Sequence, residues 1–407
     1  MKVKVNLRVV SFQINSQIGH IEDTVSRVNV LLEKLSELAK QRKPDLVVFP
    51  ELALTGYNFH DRAHILPYVS RFNEGPSFEL AQRISKLYDC YTVIGYPEIT
   101  GDGKALYNSA LVTSPNGSVH FNYRKAFLYE TDEQWGCEEN PKGFEQFTLD
   151  FRGRGHTSEN NELIDVSLRT SIGICMDLSP YKFEAPFQEM EFATYNLEKA
   201  TELMICPMAW LHSRSITSFS SKEDKFGPGD VESLLRAQGL PVYGSQGDYQ
   251  ICSDNDNKTT PISQEITDRT MSDPQYIELD KPDMSNINYW ILRFLPFLSL
   301  EVRNDWFQSF AKKLLPLRKS FMGVMSEKRW GFENKNAVLV ISNRCGVEDS
   351  STIFAGTSGM YKFNGESVDG SNNTDSTNTS VDLLGNLGKA REGFIMRDID
   401  FNVEKNI

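Results

Sequence analysis

The sequence of 407 residues has no surplus of basic side chains: 43 Lys and Arg stand against 55 Asp and Glu, a net charge of −12. Neutralising a phosphate backbone needs the opposite balance, which argues against a nucleic-acid binder. No run of about 18 uncharged apolar residues occurs, which argues against a membrane span. The opening MKVKVNLRVVSF also lacks an unbroken apolar stretch. Its Val3, Val5, Leu7 and Val9 alternate with polar neighbours, as in a strand and unlike a secretion signal. Cysteines are few and scattered (90, 137, 175, 206, 252, 345), with no C-x-x-C pair, and the 6 histidines do not cluster. A disulfide framework and a zinc site are therefore disfavoured, and a reducing, cytoplasmic setting is expected. Nor does any repeat appear with a period of about 20–50 residues.

At 40% hydrophobic and 11% aromatic, the chain can bury a sizeable core, and its length allows one large α/β domain or two smaller ones. Asp23 is a candidate cap for a helix whose Val28, Leu31, Leu35 and Leu38 recur on one face. Leu46-Val47-Val48-Phe49 is apolar on both faces, as a fully buried strand should be. A second helix is predicted over 76–88, with Pro76 in its first turn. Strands are predicted at 91–95, 109–113, 119–123, 166–174, 202–206, 239–244, 336–341 and 352–355, with 109–113 and 119–123 forming a hairpin across Pro115-Asn116-Gly117. Strands mixed with helices in this way imply an α/β, or α+β layered, fold. The polar stretch 253–285 and the aromatic-rich stretch 286–330 together mark 253–330 as an insertion, packed on the parent domain or serving as a membrane or partner surface. Residues 366–380, ESVDGSNNTDSTNTS, are expected to form a mobile surface loop.

Three polar residues stand where apolar runs end: Glu51 after DLVVFP, Lys125 after VHFNYR and Cys175 after TSIGI. Strand ends converge at one rim of a sheet, where α/β proteins commonly place ligands. A carboxylate can take the proton of a thiol, and an ammonium can hold the oxyanion formed when the thiolate attacks a carbonyl. Glu51, Lys125 and Cys175 are thus a sufficient set for acyl transfer without histidine. Taken singly, each also has a plain reading: a helix cap, a solvated lysine and a core cysteine.

The motifs around them narrow the choice. FPELALTGY (49–57), YRKAFLY (123–129) and GICMDLSPY (173–181) resemble the three signature segments of the nitrilase, or carbon–nitrogen hydrolase, superfamily, in the family's order and at similar spacing. NRCG (343–346) and TIFAGTSGMY (352–361) resemble its C-terminal strands. ELALTGYNFH, EGPSFELA, GICMDLSPYKF, CPMAWLHS and PDMSNINYWILRF are similar to the branch that deamidates protein N-termini.

The resemblance implies an αββα sandwich, residues 1–407 as a single catalytic domain, and no metal or organic cofactor. It implies Cys175 as nucleophile, Glu51 as general base and Lys125 as oxyanion donor. A second glutamate often follows the lysine in this superfamily; Glu133 is preferred, with Glu138 and Glu139 competing. Asp177 is either an anchor for a substrate α-ammonium or a turn-stabilising Asp before Ser179-Pro180. Tyr57, Trp210 and Ser213 are candidates for the pocket wall, the aromatics being equally at home in a core.

The implied activity is hydrolysis of N-terminal Asn and Gln to Asp and Glu plus ammonia through a Cys thioester. That reaction feeds arginyl transfer and ubiquitin ligation in the N-degron pathway. The alternatives are a small-molecule amidase, ω-amidase or carbamoyl hydrolase with the same trio, and a silent scaffold of the same fold. A glutaminase domain feeding a synthetase is disfavoured, since no GxxxxGK[ST] loop is present.

Overall fold

The computed structural model describes residues 1–212, 249–254, 281–298, 331–349, 352–365 and 380–405. The strand expected at 239–244, Ser213, most of the 253–330 insertion (255–280 and 299–330) and nearly all of the 366–380 loop lie outside the described residues. In chain order the strands are β1 Lys2–Gln13, β2 Leu46–Val48, β3 Tyr91–Ile99, β4 Leu106–Thr113, β5 Val119–Arg124, β6 Gln146–Thr157, β7 Leu163–Ile172, β8 Leu203–Met208, β9 Gln250–Cys252, β10 Asn336–Asn343, β11 Val347–Glu348, β12 Thr352–Ile353, β13 Gly359–Asn364, β14 Val381–Asn386 and β15 Gly393–Glu404. The described α-helices are α1 Ile21–Leu38, α2 Arg62–Ile65, α3 Gly75–Tyr88, α4 Glu130–Gln134, α5 Glu191–Glu198 and α6 Met284–Leu292.

Among the described residues, all strands but the small β11–β12 pair belong to one sheet, with the path β14-β13-β10-β8-β7-β6-β1-β2-β3-β4-β5, β15 along the other edge of β1 and β9 on β15. β1 is the hinge of the path. Its Val3–Val5 pair with β6, its Val9–Ser11 pair in parallel with β2, and β15 runs antiparallel along its whole length. The two arms of the path lie face to face. Ser11 Oγ donates to Ile341 O (2.9 Å) and Ser342 Oγ to Phe12 O (2.6 Å) across the interface. One core, containing Val5, Leu7, Val9, Val48, Val93, Val112, Ile172, Ile205 and Val340, fills the space between.

The alternation in β1 explains the next layer. Its odd positions face this inner core, whereas Val10 and Phe12 face outward with Val47 and Phe49 onto α1 and α3 (Val28, Leu31, Leu35, Leu80, Ile84). On the far side, Met204 and Cys206 of β8 are covered by Phe192 and Ala193 of α5 and by Trp290 and Phe294 at α6. The result is four layers, α-β-β-α. Asp23 is not the cap of α1: the helix starts at Ile21, and Asp23 lies in its first turn, 3.1 Å from the His20 ring, where an acid also complements the helix dipole. No helix among the described residues is long and apolar enough to cross a membrane.

Candidate active site

Glu51, Lys125 and Cys175 each follow the end of a strand, and the fold brings them together. After β2 the chain turns sharply at Pro50-Glu51-Leu52, with Leu52 at φ 43°. Gly95 of β3 lies directly against this turn. A Cβ there would come within 2.5 Å of Pro50 O and 2.6 Å of Glu51 Cα, so only glycine lets β3 bond the turn through Gly95 N to Pro50 O (3.0 Å) and Ala53 N to Gly95 O (3.0 Å). Lys125 leaves β5 and is tied by its own N–H to Asn108 O on β4 (2.8 Å). Cys175 follows β7 at φ 43° and opens a single 3-10 turn, Cys175–Leu178. Such a φ is costly for a non-glycine residue and is held here by the surrounding packing.

The side chains form one buried network. Lys125 Nζ donates to Glu51 Oε1 and to Asp132 Oδ2, both at 2.7 Å. Asn108 Nδ2 donates to the same two carboxylates, at 2.7 Å to Glu51 Oε1 and 2.8 Å to Asp132 Oδ1. The Ala209 amide donates to Glu51 Oε2 at 2.6 Å and also acts on the Cys175 sulfur. Lys125, Glu51 and Asp132 are fully buried. Burial would lower the lysine pKa, but Asp132 and Glu51 outweigh it and raise it well above the usual value, so the ammonium stays charged.

Burial pushes the Cys175 thiol well up, the Glu51 charge adds to this, and Lys125 only partly opposes it. One ammonium between two carboxylates already leaves the site with a negative charge. A free thiolate would add another, whereas proton transfer from Cys175 to Glu51 keeps the total constant. At rest Cys175 is therefore a thiol. Among the described residues, no group of three His, Cys, Asp or Glu side chains is placed to hold a metal ion.

Cys175 opens onto a cleft of ≈ 160 Å³ lined, among the described residues, by Tyr57, Tyr129, Cys175, Met176, Ser179, Phe183, Ala209, Trp210 and Leu211. Tyr57 is buried at the cleft. Desolvation, then the charges of Asp132 and Glu51, raise its pKa well above the usual value and keep its hydroxyl neutral. Desolvation likewise pushes Tyr129 up to about 12. The Trp210 ring packs on Tyr289 and Trp290 (centroids 5.5 and 5.8 Å).

Two expected positions come out differently. Glu133 is 54% exposed and lies 3.8 Å from Lys182, away from the network; Glu138 and Glu139 are exposed as well. The carboxylate beside Lys125 is its neighbour Asp132. No local pattern separates Asp132 from Glu133: both lie in the five-residue α4, and Asp132 is buried because that face of the helix meets Lys125. Asn108, a polar residue within the apolar strand YNSALVT, was missed too.

Asp177 is fully occupied within the protein. Oδ1 accepts from Ala126 N (3.1 Å) and Phe127 N (2.8 Å), and Oδ2 from Ile174 N (2.7 Å) and Tyr123 Oη (2.9 Å). Four donors use the four acceptor sites of a carboxylate, leaving none for a substrate ammonium. Asp177 is a clamp joining the Cys175 turn to the segment after Lys125, the turn-stabilising alternative of the two.

A family model described as carbon–nitrogen hydrolase matches residues 8–177. The chain is 45% identical to the protein N-terminal amidase of Saccharomyces cerevisiae over 99% of this chain and 97% of that protein. Among solved structures it is similar to an N-terminal amidase crystallised with an Asn-Glu-Ala peptide (TM-score 0.83, 45% identity, 100% of both chains covered). It is similar also to one crystallised with a Gln-Val peptide (TM-score 0.82, 45% identity, 100% of both chains).

Proposed function

The chain belongs to the carbon–nitrogen hydrolase family, and on that footing we propose that it hydrolyses the side-chain carboxamide of an N-terminal Asn or Gln on peptides and proteins, releasing ammonia. The observation that carries the chemistry is the buried Glu51–Lys125–Asp132 network against the Cys175 thiol at the base of a cleft. Glu51 takes the thiol proton as sulfur attacks the carboxamide carbon, and the carbonyl electron pair moves onto oxygen. An ammonium has three N–H bonds, of which Lys125 uses two on carboxylates, so the third is available to the oxyanion. An N–H of the nucleophile turn, near Met176, is the second donor. The C–N bond then breaks, and ammonia leaves with the proton from Glu51, giving a thioester. Water attacks the thioester as Glu51 takes its proton; the acid product departs and the proton returns to sulfur.

The described lining of the cleft supplies Tyr57, Tyr129, Phe183 and Trp210, aromatic rings whose faces attract cations, and no carboxylate besides the catalytic pair behind it. That supports these rings, with Tyr57 and Trp210 as the sequence suggested, as the surroundings of the substrate α-ammonium. The product would be an N-terminal Asp or Glu, a substrate class for arginyl transfer and then ubiquitin ligation, and a cytoplasmic degradation route is the setting this reading proposes. Residues 1–407 read as one catalytic domain, supported by the pairing of β1 with β15 across the whole chain.

The test is mass spectrometry on peptides beginning Asn, Gln and acetyl-Asn, with Asn internal in a fourth. Conversion of amide to acid is expected in the first two alone. Equal turnover of the acetylated peptide, or of free small amides, would replace this reading with a general amidase.

A further inference from the structure

The second helix layer reaches the nucleophile turn from behind. Arg293, the residue that ends α6, is buried, and its guanidinium spreads over three acceptors. Nε donates to Leu178 O (2.6 Å), Nη1 to Phe187 O (2.6 Å) and Nη2 to Glu191 Oε2 (2.8 Å). Leu178 is the last residue of the turn that Cys175 opens, so its carbonyl has no partner within the turn and Arg293 supplies one. Phe187 and Glu191 lie at the other end of the loop that starts there, and Glu191 Oε1 accepts from Tyr181 N in its middle (3.0 Å).

The loop's regular structure is two single 3-10 turns, Tyr181–Phe183 and Phe187–Glu189. Lys182, Phe183 and Met190 all have positive φ (52°, 55° and 45°), and its Ser179 and Phe183 line the cleft. A planar fork with donors on three sides can fasten both feet of such a loop at once, which a point charge cannot.

We propose that Arg293 is a positioning residue for the hydrolysis: it holds the Cys175 turn and the Ser179–Phe183 wall of the cleft in register with Glu51 and Lys125. Tyr289 and Trp290 of the same helix pack on Trp210, another residue of the cleft lining. Part of the 253–330 insertion thus serves the active site although none of its described residues lines the cleft. The inference rests on Cys175 being the nucleophile and not on which amide is cleaved.

The test is steady-state kinetics of the full chain carrying R293M, R293K or, as a control at the exposed start of the same helix, M284A. With an N-terminal Asn peptide, R293M is expected to lower kcat by about 10–100-fold, the scale of an ångström-level misplacement, with any rise in KM the smaller of the two changes. R293K, which keeps the charge but cannot span three acceptors, is expected to be intermediate, and M284A to match the wild type. A folded R293M with wild-type kcat, or with a change in KM alone, overturns the proposal. Should R293M fail to fold, R293K decides in its place, and wild-type kcat in that variant overturns it. If the wild type ignores N-terminal peptides but turns over a free amide, the substrate reading fails and the same comparison is made on that amide.

Discussion

At the residue scale, the site is a problem of charge placement. Lys125 is held charged between Glu51 and Asp132, with Asn108 bridging the same carboxylates, so removing one acid alters what the ammonium can offer the oxyanion. Asp132→Asn is expected to lower kcat by about 10²-fold, comparable to loss of an oxyanion-site interaction, whereas Glu133→Gln, on the exposed side of the same short helix, should leave it within about 2-fold. The pair of variants separates the two neighbouring acids in one kinetic experiment. Cys175→Ala should abolish ammonia release, and calorimetry should find peptide binding retained, because the cleft wall is otherwise intact. Asp177 makes a different prediction. Burial raises its pKa from 3.8 to about 7, outweighing its hydrogen bonds, so the folded state binds its proton more tightly than the unfolded state. Its contribution to stability is then full below pH 3.8 and is lost as pH rises toward about 7. Asp177→Asn, besides lowering overall stability by breaking the clamp, should flatten the dependence of Tm on pH across that window; an unchanged slope would contradict the assignment.

At the scale of elements, Glu51, Lys125 and Cys175 each follow a strand end whose direction is set by a neighbour. The close approach of β3 to the Glu51 turn is the most exacting of these contacts. Gly95→Ala would push a methyl into backbone atoms, which unlike side chains cannot rotate away. Thermal unfolding should report a loss of about 1–3 kcal/mol, typical of overpacking, and activity should fall further than stability does because Glu51 moves with the turn. The Cys175 turn lies beside β8, to which the chain just before it is bonded through Gly173 N to Ile205 O (3.0 Å). Side chains complete its support: Asp177 in front and Arg293 behind.

At the scale of the molecule, the first and last described strands lie side by side, and α1 is bound to the chain just before β15 by a buried ion pair. Arg27 Nε donates to Glu392 Oε2 at 2.9 Å, while Arg27 Nη2 reaches Asn15 O and Glu392 Oε1 accepts from Asn15 N. Burial raises the Glu392 pKa and Arg27 opposes this, so removing the arginine leaves a carboxylate with little reason to stay charged. Arg27→Met is expected to cost about 3–5 kcal/mol in urea unfolding, the range for breaking one side of a buried pair. Its kcat should change little at temperatures where it remains folded, since Arg27 lies in the outer layer away from the cleft.

What the sequence alone determined was chemistry and local pattern. The alternation of Val3 to Val9, the doubly apolar Leu46–Phe49 and the periodic leucines of α1 each state which face is buried, since burial writes itself locally at a period of two or 3.6 residues. Glu51, Lys125 and Cys175 were legible because each interrupts an apolar run and sits in a distinctive motif. Position among near-identical neighbours was not legible. Asp132 and Glu133 carry the same group one bond unit apart, and only the packing of α4 on Lys125 chose between them. Nor did local pattern reveal that Asp177 spends all its acceptors on the protein, or that Arg293 reaches back 115 residues to the nucleophile turn. Those are long-range contacts, decided by how the layers meet, and no local period encodes them.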